Sequence, residues 1–222
     1  DYLSGAEISY LPQSEWRRHE ELAAELQSQY LADGNKAFFI PIGASDEVGL
    51  WGYIAACEEL KQDFERLGID PEYIVTATGS GGTQGGLIVG AQLFELDSQI
   101  AAFNVSDDAA YFENKIRADV TLWKQRYKQQ FDGEQLKINT IEGYVGSGYG
   151  IAGAEIFQTI KELAGSDGIF LDPVYTGKAF HGMVTELRKG EEGRLAGARD
   201  VVFIHTGGLF GVFPQQQNFS FD

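Results

Sequence analysis

The sequence has 222 residues, of which 43% are hydrophobic and 13% aromatic, and 17 basic against 33 acidic residues give it a formal net charge of −16. That many apolar and aromatic side chains exclude a disordered chain, because they can form a sizeable core. The acidic balance argues against nucleic acid or an anionic membrane as a partner, since both need a basic face.

A single cysteine, Cys57, leaves no disulfide framework and no thiolate metal cluster. It falls within an apolar helical pattern and is expected in the core. The three histidines are scattered without the spacing of a metal site, so we expect no metal. No apolar run reaches the ~20 residues of a membrane span and the first residues lack the features of a signal peptide. We therefore expect a cytoplasmic protein.

Hydrophobic periodicity predicts helices alternating with short apolar strands along the chain. In order, the predicted elements are helix 15–30, strand 37–42, helix 46–67 closed by Gly68, strand 73–77, helix 82–95, strand 100–105, helix 107–130, strand 137–140, helix 153–164, strand 168–171, helix 177–189 and strand 200–204. Short, continuous apolar strands that alternate with helices are typical of a parallel sheet covered on both faces. The fold class is therefore predicted to be α/β, with a doubly wound, mostly parallel sheet.

Ligands of such sheets bind beyond the carboxyl ends of the strands. Unusual residues follow three predicted strands, over 78–86, 172–178 and 205–208. We expect these three segments to meet at one rim of the sheet, where they would form the binding site.

The first of these segments, Gly79–Gln84, fits neither common nucleotide motif. It lacks the lysine of a Walker A loop, and Gln84 stands where the dinucleotide fingerprint requires its third glycine. Glycines let the backbone approach a ligand, and the hydroxyls of Ser80 and Thr83 at a helix N-terminus favour an anion. Because so many glycines cost backbone entropy without a packing gain, we interpret the segment as a phosphate-binding loop. A glycine-rich turn without a ligand is the alternative.

The other two segments offer hydroxyl groups. Tyr175 could act as an acid or base above a ligand, although a packing role is the common one for a loop tyrosine. Lys178 is expected to be a solvated lysine or a cap partner. Thr206 places a neutral hydroxyl at the end of the last predicted strand.

Tyr149 lies in a segment rich in glycine and tyrosine, residues 143–150. Mobile glycines that flank an aromatic side chain suit a lid over a small pocket. An ordinary aromatic surface loop competes with this interpretation.

Four motifs, in this order and spacing, resemble those of the D-cysteine desulfhydrase / 1-aminocyclopropane-1-carboxylate deaminase family: Thr78–Gln84, Gly148–Gly150, Leu171–Ala179 and Phe203–Gly208. Ile40–Ser45 also resembles a segment of that family. The resemblance implies a pyridoxal-phosphate enzyme of the tryptophan-synthase-β-like fold, fold type II, that forms a homodimer. It further implies that residues 36–222 form the large cofactor-binding domain and that residues 1–35 are a remnant of the small domain.

Carried over position by position, the resemblance implies two sets of site residues. The catalytic residues would be Tyr149 and Tyr175. The residues that bind the cofactor would be Thr78, Gly79, Ser80, Gly81, Gly82, Thr83, Thr176, Thr206 and Gly207.

Two threonines bear on which branch of the family the sequence resembles. Thr176 stands where the cyclopropane deaminases have a glutamate, and Thr206 matches the hydroxyl that meets the pyridine nitrogen in the desulfhydrase branch. A neutral hydroxyl leaves that nitrogen unprotonated and the electron sink weaker, which suffices to expel a good leaving group such as sulfide.

The resemblance therefore implies a β-eliminating lyase that converts a small amino acid such as D-cysteine to pyruvate, ammonia and sulfide. L-cysteate sulfo-lyase, 1-aminocyclopropane-1-carboxylate deaminase and a non-catalytic relative that binds pyridoxal phosphate remain alternatives.

The family's N-terminal part, with its Schiff-base lysine and the Ser-Asn pair that grips the substrate carboxylate, has no counterpart in this sequence. Gly34-Asn35-Lys36 resembles the lysine segment in spelling, but it precedes predicted strand 37–42, where the family has no catalytic lysine. We therefore expect a fragment that is truncated at the N-terminus, with the missing part cleaved, disordered or on another chain.

Overall fold

The computed structural model describes residues 2–133 and 136–221. It divides into two compact units between Pro41 and Ile42. The first unit contains 3-10 turns at Tyr2–Ser4 and Gln13–Arg18 and one α-helix, α1, His19–Ala32. The predicted helix over 15–30 is thus confirmed from His19 onward, and the residues before it form a 3-10 helix.

The second unit contains the sheet. Its strands are β1 Tyr73–Thr78, β2 Gln99–Asn104, β3 Asn139–Ile141 and β4 Val201–Phe203. Its helices are α2 Leu50–Leu67, α3 Gly82–Leu93, α4 Ala109–Tyr127, α5 Ala154–Asp167 and α6 Thr176–Arg188. Short 3-10 turns occur at Ile42–Ala44, Gly190–Glu192, Leu209–Gly211 and Phe213–Asn218.

The four strands are all parallel, in the order β3-β2-β1-β4. One apolar cluster packs α2, α3 and α4 against Ile74 and Ile100, whereas another packs α6 against Val75 and Phe103. Neighbouring residues of a strand point to opposite faces, so helices cover both faces. The predicted α/β fold with a doubly wound parallel sheet is confirmed.

Both ends of helix α2 follow from its sequence. Gly68 adopts a left-handed conformation (φ 66°) and closes the helix, as predicted. The helix begins at Leu50 rather than at Asp46, because the Asp46 carboxylate instead caps the preceding turn by accepting hydrogen bonds from Val48 N (2.9 Å) and Gly49 N (2.7 Å).

Two predicted strands are wrong. Residues 37–41 lie in the first unit, where the described residues contain no strand that could pair with them, and Phe38 is 74% exposed. Residues 168–171 form no strand, and side chains bond to the backbone within this segment and directly after it. Phe170 O accepts from His205 Nε2 (2.9 Å), and Asp172 N donates to Thr176 Oγ1 (2.9 Å).

Helix α3 is almost entirely buried between α2 and the sheet, and its glycines make this close approach possible. A Cβ on Gly86 would lie 2.7 Å from Leu50 O, and one on Gly90 would lie 2.7 Å from Cys57 Cβ. Packing against α2 therefore requires glycine at these two positions of the helix. Within the described ranges, no helix combines the length and apolar character that a bilayer crossing needs.

Candidate functional site

The three segments predicted to share a rim do meet there. Strands β1 and β4 are neighbours, so the loops that follow them lie side by side. A Cβ on Gly79, after β1, would lie 3.1 Å from Tyr175 Cε1. A Cβ on Gly208, after β4, would lie 2.7 Å from Asp172 Cβ. Glycine is therefore required at Gly208, and at Gly79 it allows the close contact with the Tyr175 ring. The segment 172–178 thus packs against the loops that follow β1 and β4.

The loop between β1 and α3 has open hydrogen-bonding capacity. Gly81 adopts a left-handed conformation (φ 91°) at the N-cap of α3 and, as a glycine, offers no side chain of its own to cap the helix. The first amides of a helix have no partner within it and point outward from its N-terminus. Thr78 Oγ1 is buried and has no hydrogen-bond partner among the described residues. Amides that point outward from a helix N-terminus suit an anion.

A serine from outside the three segments holds this loop in place. The buried Ser45 Oγ lies 2.7 Å from Ser80 Oγ and accepts a hydrogen bond from Gly82 N (3.1 Å). Lys115, on α4, donates to Ser45 O (2.9 Å) and forms a very short ion pair with the buried Asp119. Ser45 belongs to the segment 40–45 that the sequence motif identified, whereas no sequence signal pointed to Lys115.

Asp172 fixes the start of helix α6. Its carboxylate, 2% exposed, accepts hydrogen bonds from Val174 N (2.8 Å) and Tyr175 N (2.9 Å) on Oδ2, and from Thr176 N (2.7 Å) and Thr176 Oγ1 (2.8 Å) on Oδ1. The Thr176 hydroxyl also accepts from Asp172 N, so both of its hydrogen-bonding directions are used within this turn. Tyr175 is therefore rigidly placed above Gly79.

Tyr149 and Tyr175 form a pair. Their hydroxyl groups share a very short hydrogen bond, and their rings meet edge to face with centroids 5.9 Å apart. Burial, followed by the hydrogen bond from Tyr149 and the charge of Asp172, raises the pKa of Tyr175 far above its usual range. The Tyr175 phenol is therefore protonated at neutral pH and can donate a hydrogen bond at the rim.

Lys178 is buried, with 1% of its surface exposed, so the prediction of a solvated lysine is wrong. Its ammonium donates to Val145 O (2.7 Å) and Gly148 O (3.0 Å), both in the loop that carries Tyr149. Tyr144, at the start of that loop, hydrogen-bonds to Glu186 on α6. The loop is thus tied to α6 at both ends.

Thr206 is exposed on the loop after β4. His205 organises this loop, because its Nδ1 accepts from Gly207 N (3.0 Å) and its Nε2 lies 2.9 Å from Phe170 O. These partners assign the neutral tautomer with the proton on Nε2. Gly207 itself adopts a left-handed conformation (φ 94°), which turns the chain immediately after Thr206.

The remaining candidate groups lie elsewhere. Cys57 is buried, which raises the pKa of its thiol to about 12, so the prediction of a core cysteine is confirmed. Lys36 is exposed in the first unit. Within residues 2–133 and 136–221, no three His, Cys, Asp or Glu side chains are grouped so that they could hold a metal ion.

Comparison with known proteins gives consistent matches. A family model described as pyridoxal-phosphate dependent enzyme matches residues 2–207. A Thermotoga maritima protein with the provisional name 1-aminocyclopropane-1-carboxylate deaminase is 34% identical over 218 residues, covering 98% of this chain and 66% of that protein. The mitochondrial bifunctional D-cysteine desulfhydrase/1-aminocyclopropane-1-carboxylate deaminase of Arabidopsis thaliana is 33% identical over 222 residues, covering 96% of this chain and 52% of that protein.

A crystal structure of a homologue of ACC deaminase superposes with a TM-score of 0.85 at 29% identity, and the match covers 98% of this chain and 63% of that one. The chain therefore spans between about half and two thirds of the length of these relatives.

Proposed function

The chain belongs to the pyridoxal-phosphate dependent enzymes, and from this membership we propose that the protein carrying it is a β-eliminating lyase. Its substrate would be a small amino acid such as D-cysteine, and its products pyruvate, ammonia and sulfide. The observation that carries the proposal is the rim, where an open phosphate-type loop lies directly beneath a hydrogen-bonded pair of tyrosines.

The residues of the first loop fit the phosphate ester of the cofactor. Ser80, Gly81, Gly82 and Thr83 would surround the phosphate at the N-terminus of α3, where helix amides favour an anion. A ligand atom at this position would also satisfy Thr78 Oγ1, which is buried and otherwise unpaired. Gly79 would let the cofactor approach the backbone.

When bound, pyridoxal phosphate supplies an electron sink for negative charge at the substrate Cα. Tyr175 would assist departure of the leaving group from Cβ as a hydrogen-bond donor and acid, because its ring lies directly beside Gly79 in the phosphate-type loop. Tyr149 would orient the Tyr175 proton through the hydrogen bond between the two hydroxyl groups. The two rings would also exclude water from one side of the site.

Thr206 and Thr176 support elimination of sulfide over opening of a cyclopropane ring. We propose that Thr206 faces the pyridine nitrogen as a neutral hydroxyl, and Gly207 provides the turn that presents it. Thr176 would support the site from behind, since its hydroxyl bonds to Asp172. The name of the Arabidopsis relative includes both activities, so the choice between them rests on the two threonines.

The test is turnover by the full-length gene product. We expect release of pyruvate and sulfide from D-cysteine to exceed release of 2-oxobutanoate from 1-aminocyclopropane-1-carboxylate. The opposite order would favour the deaminase, and bound cofactor without turnover of either substrate would favour a non-catalytic relative.

A second test uses Tyr175→Phe, which should lower kcat by about 10²- to 10⁴-fold with cofactor occupancy retained. Tyr111→Phe, on the exposed side of α4, is the matched control and should leave both unchanged. Equal loss of turnover and occupancy in Tyr175→Phe would instead indicate a packing role.

We also propose that the protein is a cytoplasmic homodimer, in which residues 36–222 form the large domain and residues 1–35 part of the small one. The resemblance to the family supports the dimer and the domain assignment. The single buried cysteine agrees with a reducing compartment. Sedimentation analysis of the full-length gene product would test the dimer.

A further inference from the structure

Lys178 is the one lysine in the described residues with almost no exposed surface, and the function proposed above does not use it. It lies in the first turn of α6, three residues after Tyr175, and donates to two carbonyl oxygens of the loop that carries Tyr149. Removing an ammonium from water is costly unless hydrogen bonds compensate. The two hydrogen bonds from Lys178 must therefore compensate the cost of burying its ammonium group.

The loop that carries Tyr149 needs such a restraint because its glycines give the backbone high conformational freedom. Gly143, Gly146, Gly148 and Gly150 all have positive φ values, and glycine loses more conformational freedom on ordering than any other residue. Lys178 holds the carbonyl of Gly148, the residue immediately before Tyr149. The ammonium thus restrains the backbone next to the tyrosine.

The same helix acts on both members of the tyrosine pair. Tyr175 is the N-cap residue of α6 and Lys178 follows within its first turn, so one helix positions the Tyr175 phenol and restrains the backbone next to Tyr149. Burial lowers the pKa of Lys178, although the charges of Asp172 and Glu155 oppose this shift. An amine in either protonation state can donate to both carbonyl oxygens.

We propose that Lys178 is a positioning residue, which sets the distance between the Tyr149 and Tyr175 hydroxyls by holding the carbonyl oxygens of Val145 and Gly148. The effect of Lys178 on turnover rests on the function proposed above, whereas its effect on the order of the loop that carries Tyr149 does not. The two are therefore tested separately.

The structural test compares Lys178→Met with Lys161→Met. Lys161 is the matched control, because it also donates to a backbone carbonyl, that of Ser220, away from the loop. Chymotryptic cleavage after Tyr149 should become at least about ten-fold faster in Lys178→Met and stay unchanged in Lys161→Met, since the loop loses two of its hydrogen bonds. Equal cleavage rates in all three proteins would overturn the proposal.

A second structural readout is the titration of Tyr175, followed by NMR with ¹³C-labelled tyrosine. Loss of the bond from Tyr149 should lower the pKa of Tyr175, so Lys178→Met and Tyr149→Phe should show the same direction of shift. A Tyr175 titration that moves in Tyr149→Phe but not in Lys178→Met would overturn the proposal.

The catalytic test uses the full-length gene product. Lys178→Met should lower kcat more than it raises KM, and the double variant with Tyr149→Phe should be no slower than the slower single variant, because both changes disable the same group. Additive losses would overturn the positioning role. If wild-type protein shows no turnover while the cleavage and titration results hold, the proposed function fails and the positioning role stands.

A measurement on the wild-type protein covers the case in which Lys178→Met does not fold. Native-state acylation should modify the exposed Lys128 at least about ten-fold faster than Lys178, because only a local opening exposes the latter. Equal rates would show that Lys178 does not hold the loop, and would overturn the proposal without any variant.

Discussion

Asp172→Asn tests whether the cap on helix α6 holds the tyrosine that faces the phosphate-type loop. Each carboxylate oxygen of Asp172 accepts two hydrogen bonds, from three backbone amides and the Thr176 hydroxyl. Asparagine keeps one oxygen and replaces the other by an NH₂ group, which cannot accept. The variant changes no volume, so its effect reports the hydrogen bonds and the charge alone.

The expected loss of stability is estimated for the side-chain amide orientation of the variant that keeps more of the hydrogen bonds. If the remaining oxygen serves Val174 N and Tyr175 N, Thr176 N loses its acceptor, at a cost of about 1 to 3 kcal/mol for a buried amide. Loss of the negative charge near the helix N-terminus adds about 0.5 to 1 kcal/mol. We expect the free energy of unfolding to fall by about 1.5 to 4 kcal/mol, which corresponds to about 3 to 16 °C in Tm.

The assay is urea unfolding followed by far-UV circular dichroism. Asp108→Asn is the matched control, since Asp108 caps α4 through one exposed bond to Tyr111 N (2.7 Å). Aspartate and asparagine are nearly equivalent as N-caps, so this control should change the free energy of unfolding by less than about 0.5 kcal/mol. If the two variants are destabilised equally, the hydrogen bonds to the Asp172 carboxylate do not fix the start of α6.

Three further predictions concern the core and the dependence of stability on pH. Gly86→Ala should destabilise the protein by about 1 to 3 kcal/mol, because the added Cβ would lie 2.7 Å from Leu50 O. Gly52→Ala, in helix α2 with open space around it, should instead stabilise the protein by about 0.5 to 1 kcal/mol. Urea unfolding of the two variants measures both changes. Cys57 should react with a thiol reagent at pH 8 only after unfolding, since burial raises its pKa to about 12, and rapid reaction of the native protein would contradict this. Burial raises the pKa of Glu186, but its lysine, tyrosine and backbone donors outweigh burial and lower it to about 2. Its contribution to stability is therefore complete above its ordinary pKa of 4.5 and is lost as pH falls toward 2, and replacement by glutamine should flatten the stability curve in that range.

The rim of the site could be predicted because it depends on general properties of parallel sheets. Each short apolar strand was followed by polar or glycine residues, and the carboxyl ends of parallel strands share one edge. The same reasoning failed for residues 168–171, because a continuous apolar run does not reveal which groups will bond to its backbone. Here the His205 ring bonds to the carbonyl oxygen of Phe170.

The residues that support the site were not predictable, because their roles arise from distant contacts. Lys178 looked like a surface lysine, since lysine is almost never fully buried unless it is paired, and its partners lie some 30 residues earlier in the chain. Lys115 reaches Ser45 across 70 residues of sequence. Patterns within one element identify the groups that could face a ligand, but they do not identify what holds those groups in place.

The glycines of helix α3 constrain any attempt to transplant the phosphate-type loop into another protein. Gly79 and Gly81 shape the loop, whereas Gly86 and Gly90 are needed because α2 lies against the same helix. A designer who copied only the loop into a new scaffold would import glycines that destabilise a free helix by about 0.5 to 1 kcal/mol each. The smallest transferable part is therefore strand β1, the loop, α3 and α2 together.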